Sequence, residues 1–245
     1  MIKTPTYEKI RALKLYAMSR ALEEQQEKKE YERLSFEERL GMLVDREYSE
    51  RENKRLAGRI KQAKFKQQAC MEDIDYQQSR NLDKSLIRSF AGCQWIKDKL
   101  NILITGLTGS GKTYITSALG HRACLEGYRV LYFRATRLFH DLAIAQGDGS
   151  YDRLMNSMAK ADLLVIDDFG LSALTDQHRK DFLEILEDRH DIHSTIVASQ
   201  LPIDHWHEVI GNATLADAIL DRLVHNAYKI NLKGGSMRRK NSKLK

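Results

Sequence analysis

Proline is almost missing from this 245-residue chain: Pro5 and Pro202 are the only two, and nothing between them forbids long helices. Glycine is scarce at the front, where Gly41 and Gly58 alone precede residue 91, although the chain holds 14. That unevenness predicts a helical front domain over residues 1–80 and a loop-rich domain over residues 81–245, sizes that need no covalent staple. Cysteine is scarce as well. Cys70, Cys93 and Cys124 are widely spaced without a CxxC pair, which excludes a disulfide framework and a paired-cysteine zinc site and suits a reducing compartment. No apolar run approaches the roughly 18 residues of a membrane span, and Met1-Ile2-Lys3-Thr4-Pro5 leads into no signal-peptide core, so the expectation is a cytoplasmic protein with no membrane partner. An acidic excess is also lacking. The net charge is +6, which favours a polyanionic partner, nucleic acid ahead of an acidic membrane surface.

What the front does contain is helical patterning. Ile10, Leu13, Ala17 and Leu22, with Tyr16 and Met18, recur between charges at helical spacing, predicting one amphipathic helix over about 7–31. Ser35-Phe36-Glu37-Glu38 has the form of a capping box, and Ser49-Glu50-Arg51-Glu52 repeats it, so helices are expected to start near 36 and near 50. Leu40, Leu43 and Val44 in one, and Leu56, Ile60 and Phe65 in the other, would close a small bundle with the first. Arg51, Lys54, Arg55, Arg59, Lys61, Lys64 and Lys66 stand against the single acid Glu52. A face of one sign repels itself unless phosphates neutralise it, which points to DNA; pairing with the acidic stretch Glu23–Glu38, or an ordinary solvated face, is the competing reading.

The back opens with Asn101-Ile102-Leu103-Ile104-Thr105, a short β-branched run that leads into Gly106-Leu107-Thr108-Gly109-Ser110-Gly111-Lys112-Thr113 and then a helical stretch including Tyr114. Strand, glycine loop and helix in that order form a phosphate-binding loop. Gly109 and Gly111 let consecutive amides turn toward the phosphates, Lys112 brings charge and Thr113 a magnesium ligand. Downstream, Asp162-Leu163-Leu164-Val165-Ile166-Asp167-Asp168 reads as a buried strand ending in two carboxylates. Asp167 would hold Mg2+, and Asp168 would orient or deprotonate the water that attacks the γ-phosphate.

Residues 129–133, 195–199 and 227–232 read as further strands, and helical stretches over 136–145 and 176–189 separate them. The expected fold is therefore α/β, a five-stranded parallel sheet with helices on both faces and ligand chemistry at the strand carboxyl ends. Ser199 or Gln200, closing the fourth strand, would sense the γ-phosphate or merely cap the strand. No Asn-Lys-x-Asp signature comes after Asp168, so adenine is the expected base and ATP the expected nucleotide. Arg222 lies far along the chain from the phosphate loop and would act as an arginine finger on a neighbouring subunit, or else pair at the surface with Asp217 or Asp221. The basic stretch from Lys229 to Lys245 offers a second anion contact, and the residues beyond Arg222 are too few for a strand and a complete helical lid. A pocket finished by a neighbouring copy is the expectation.

Taken in order, Leu43-Val44-Asp45-Arg46-Glu47, Lys54-Arg55-Leu56, Ile60 to Phe65, Gly106 to Thr113, Leu163 to Gly170, Ser199-Gln200-Leu201-Pro202, Trp206, Ala216 to Leu223 and Gly235-Ser236-Met237-Arg238 resemble the IstB-like ATPases of bacterial insertion sequences. These helpers of a transposase belong to the AAA+ clade with the helicase loader DnaC. The resemblance implies ATP-dependent self-assembly on duplex DNA, selection or remodelling of a transposition target, and stimulation of a partner transposase. It also implies that Arg222 is the finger in trans and that Arg238 approaches the phosphates in cis. Asp168 and Gln200 depart from the glutamate and asparagine of many AAA+ ATPases, which implies slow hydrolysis unless a partner completes the site. A helicase loader shares the same engine and is the alternative; a P-loop kinase using Asp168 as base leaves the basic stripe unexplained.

Overall fold

The computed structural model describes residues 5–77 and 80–237. The chain forms two compact units that divide between Gly58 and Arg59, within one long helix. In the first unit the helix expected over 7–31 is broken. Helix α1 (Pro5–Ala12) ends in a left-handed residue, Lys14 at φ +59, with the Leu15 amide reaching back to the Ile10 carbonyl at 3.0 Å. Helix α2 (Tyr16–Glu27) and a 3-10 turn (Lys29–Arg33) come next. The break lets Tyr7 and Ala17 both bury, where one straight helix would expose part of the apolar set. Leu15 offers α2 no side-chain cap, so the first amides of α2 take theirs from elsewhere. The Glu47 carboxylate accepts from the Ala17 and Met18 amides at 2.8 and 3.0 Å.

Helix α3 (Phe36–Ala63) begins at the first predicted capping box: the Glu38 amide donates to Ser35 Oγ at 3.2 Å and the Ser35 amide to the Glu38 carboxylate at 2.8 Å. The second box does not start a helix. Ser49 lies inside α3, because good helix formers flank it and no glycine or proline interrupts residues 42–57. Leu40 and Val44 are 42% and 49% exposed, so of the three apolar residues expected on that face only Leu43 is buried.

In the second unit β1 (Asn101–Gly106), β2 (Val130–Arg134), β3 (Leu163–Phe169), β4 (Ser194–Ser199) and β5 (Ala227–Leu232) form one parallel sheet ordered β2-β3-β4-β1-β5. The central strands are apolar runs buried on both faces, as a covered parallel sheet requires. Leu103, Leu164, Ile166 and Val197 pack into a core with α7 (Ala135–Asp148), α8 (Tyr151–Ala159), α9 (Asp176–Arg189), α10 (Trp206–Ile210) and α11 (Ala213–Val224). Their neighbours along each strand point to the other face, which carries α6 (Lys112–Leu125). Two short helices, α4 (Lys84–Ser89) and α5 (Gln94–Lys97), precede β1. Phe65, expected in the front bundle, belongs to this unit instead: its ring meets Tyr132 edge-on at 6.1 Å and lies against Gly120 of α6. Among the described residues no helical lid comes after β5.

Candidate nucleotide site

The carboxyl ends of β1, β3 and β4 converge on a cleft of about 860 Å³. Between β1 and α6 the chain makes the phosphate loop. Gly109 and Gly111 sit at φ +82 and +102, which a side chain resists. Gly106 is held as tightly: a Cβ there would meet the Leu232 carbonyl at 2.4 Å. Lys112 is buried, and its Nζ donates to the Gly106 and Leu107 carbonyls at 2.6 and 3.0 Å, curling the loop around its own cation. The Met237 amide donates to the Gly109 carbonyl at 2.9 Å, so the segment after β5 braces the loop from outside.

Asp167, fully buried at the end of β3, is surrounded by donors. Thr113 Oγ1 lies 2.8 Å and the Tyr132 hydroxyl 2.6 Å from Oδ2, and the Asp168 amide donates to Oδ1 at 2.9 Å. Burial first, and then the adjacent Asp167 charge, push the Tyr132 phenol well up, so it stays a proton donor. A hydroxyl and a carboxylate this close form a hard-oxygen pair of the kind Mg2+ accepts when phosphate oxygens and water supply the rest.

Asp168 comes next at φ +59, where the β3–β4 register shifts. Its Oδ2 is shared by Arg134 Nε at 3.2 Å and Lys66 Nζ at 3.6 Å. Gln200 faces the loop, its Oε1 accepting from Thr108 Oγ1 at 2.6 Å. Ser199 differs: it is fully buried, donating to the Phe169 carbonyl at 2.8 Å and accepting from the Leu201 amide at 3.1 Å, so its hydroxyl is committed to the strand end. Tyr114 lines the cleft and donates to the Cys70 carbonyl at 3.4 Å.

Arg222 lies elsewhere. Its carbonyl accepts from the side chain of Asn101, the first residue of β1, whereas the phosphate loop begins at the last. Five residue steps of strand separate the two ends, about 16 Å. The guanidinium pairs with Glu187 at 2.8 Å, not with Asp217 or Asp221, and a tight crevice of about 10 Å³ beside it is too small for a nucleotide. Arg238 lies outside the described residues.

The basic stripe is better balanced than its own residues suggest. Arg51 pairs with Glu47 at 2.7 Å, Lys54 with Glu50 at 2.8 Å and Arg55 with Glu52 at 2.5 Å, while Arg59 donates to the Cys124 carbonyl at 2.9 Å. Lys61 and Lys64 are exposed, and Lys66 faces the nucleotide cleft.

Sequence reasoning missed Arg80, Tyr132 and Arg134. Arg80 is buried beside the loop, donates to the Ser110 carbonyl at 3.2 Å and to the Asp75 carbonyl, and comes so near Gly111 that a Cβ there would lie 2.7 Å from it. Arg134 was legible in part, since it ends β2 and strand ends are where ligands gather.

With loop and carboxylates at one end of the sheet, the comparisons with known proteins decide the family. The description "IstB-like ATP binding protein" matches residues 8–245. The chain belongs to this family. An insertion sequence ATP-binding protein of Sinorhizobium fredii is 48% identical over 98% of both chains, and that of IS1162 from Pseudomonas fluorescens is 48% identical over 82% of this chain and 88% of its own. Among solved structures, the DnaC helicase loader aligns at TM-score 0.58 and 19% identity over 67% of this chain and 97% of its own. DnaI aligns at 0.57 and 22%, over 68% and 92%. The IstB-like chain is thus an ATP-binding protein with the AAA+ P-loop fold. Among the described residues no helix is long and apolar enough to cross a membrane.

Proposed function

We propose that this chain is an ATP hydrolase that assembles with copies of itself on duplex DNA, selects or remodels a transposition target and stimulates a partner transposase, in the cytoplasm of a bacterium. The observation that carries the reading is the division of the parts. Lys112, Thr113, Asp167, Asp168 and Gln200 share one end of the sheet, while Arg222 stands at the other, out of reach of its own cleft. A bound Mg2+ would neutralise developing phosphate charge between Thr113 and Asp167. Lys112 binds the phosphates with the loop amides, Asp168 orients the attacking water, and Gln200, already on Thr108, reports on the terminal phosphate. Arg222 of a neighbouring copy completes the charge stabilisation, and Arg238 adds a contact in cis. Phosphate backbones would recruit Lys61 and Lys64 and draw Arg51, Lys54, Arg55 and Arg59 from partners that water already weakens.

The test is phosphate release on duplex DNA, with particle size read alongside, for the natural chain, for Lys112→Ala, for Arg222→Ala and for an equal mixture of the two variants. Each variant alone should be inactive. The mixture should regain activity, because one copy supplies the finger and the other the nucleotide. Inactivity of the mixture, with both variants incorporated in the same particles, would refute a finger in trans; release by Lys112→Ala alone would refute the site.

A further inference from the structure

Lys66 stands between the end of the basic helix and the hydrolytic carboxylate. Helix α3 ends at Ala63, Lys64 turns left-handed at φ +55, and Phe65 seats its ring against Tyr132 and over Gly120. A Cβ at residue 120 would come within 2.6 Å of that ring, so glycine admits the ring and the ring places the next residue. Lys66 Nζ then lies 3.6 Å from Asp168 Oδ2, the oxygen that Arg134 Nε approaches to 3.2 Å. The Lys66 side chain lines the cleft and remains 34% exposed, with room to move.

In ATP hydrolysis the carboxylate beyond the magnesium aspartate adjoins the attacking water, and that water adjoins the terminal phosphate. An ammonium resting on this carboxylate is within a rotation of its own stem of that phosphate. Lysine suits such a transfer, since its head is a compact point charge on four flexible methylenes, whereas arginine carries its charge on a broad planar fork. ADP offers nothing at this distance. Its phosphates would end in the loop, at Lys112.

We propose that Lys66 distinguishes ATP from ADP, its ammonium leaving Asp168 for the terminal phosphate of ATP and staying on Asp168 when ADP is bound. The proposal rests on the cleft being the ATP site. It gives Asp168 one cation fewer when water must be activated, and it gives the residues just after α3 a position that depends on the nucleotide. The charge that makes Lys66 look like one more member of the DNA stripe is then spent inside the enzyme.

Isothermal titration of the full chain with a non-hydrolysable ATP analogue and with ADP, each with Mg2+, tests this. Lys66→Met should weaken the analogue roughly tenfold, the worth of one charged hydrogen bond, and change ADP by less than about twofold. Lys66→Arg should keep most of the preference, and Arg134→Met should leave it in place. An unchanged ratio in Lys66→Met, an equal loss of both nucleotides, or a ratio lost only in Arg134→Met would overturn the assignment. Lys112→Ala separates the two levels of the argument: if it abolishes both nucleotides while Lys66→Met keeps its ratio, the site stands and Lys66 falls; if both nucleotides still bind, the site itself falls.

Discussion

The two units are held together by different physics. Residues 59–237 surround a sheet whose central strands are sealed on both faces, with Phe182 tilted against Phe169 and Trp206 edge-on to it in one aromatic cluster. Residues 5–58 bury little apolar surface and leave Phe36 and Tyr48 at 74% and 67% exposure. Their order comes from polar devices: Glu47 on the amides of α2, Ser35 and Glu38 capping α3, and Arg11 paired with Glu23 at 2.8 Å. An engine needs a rigid floor so that Asp167, Thr113 and the loop stay in register. A unit built on a few charged contacts can change partners when a polyanion arrives.

That contrast can be broken at several strengths. Trp206→Ala removes a fully buried ring that packs on Phe169 and donates to the Leu201 carbonyl at 3.1 Å; it should cost about 3–5 kcal/mol in denaturant unfolding and abolish nucleotide binding with the fold. ATP at about 100 times its Kd should stabilise residues 59–237 by roughly 2.7 kcal/mol, and hydrogen exchange should show the protection concentrated around the phosphate loop and β3.

Glu47→Gln should loosen the helical unit by about 1–3 kcal/mol, read from helix content on heating, and spare nucleotide affinity. Burial pushes the Glu47 carboxyl up, but bonds from the Met18 and Ala17 amides and from Arg51 outweigh it and hold the group below its ordinary 4.5. A lowered folded value means stability present above about pH 4.5 and lost as pH falls through the folded value, so acid should melt α2 in the natural chain and have less to remove in the variant. Ser35→Ala, a cap on an exposed end, should cost about 0.5–2 kcal/mol of helix stability at most.

Legibility divided along the same line. All five strands stood out because buried parallel strands are apolar runs, and β5 and α9 fall at their predicted limits. The glycine loop between β1 and α6 and the buried carboxylate of Asp167 at the end of β3 lie where the sequence placed them, because a strand, a glycine-rich turn and a helix leave a plain pattern of residue types at fixed spacing. The front misled where local signals compete. Ser49-Glu52 has the letters of a cap but sits between helix formers, and the turn at Lys14 uses no glycine to announce itself. The one-sign stripe was an effect of where it was cut, since Glu47 and Glu50, one turn upstream, pair with Arg51 and Lys54. Arg80 gave no sign at all: a lone arginine before the sheet becomes a brace only through the fold.

The most direct measurement is binding of the natural chain to duplex DNA with ATP, with ADP and with no nucleotide, over a salt series, while particle size is read. The account predicts large particles on DNA with ATP alone and an affinity that falls steeply with salt, as release of counterions from several phosphates requires. DNA binding that is absent, or indifferent to the nucleotide, would contradict it, and would leave the ATP-binding unit with a protein load in place of DNA.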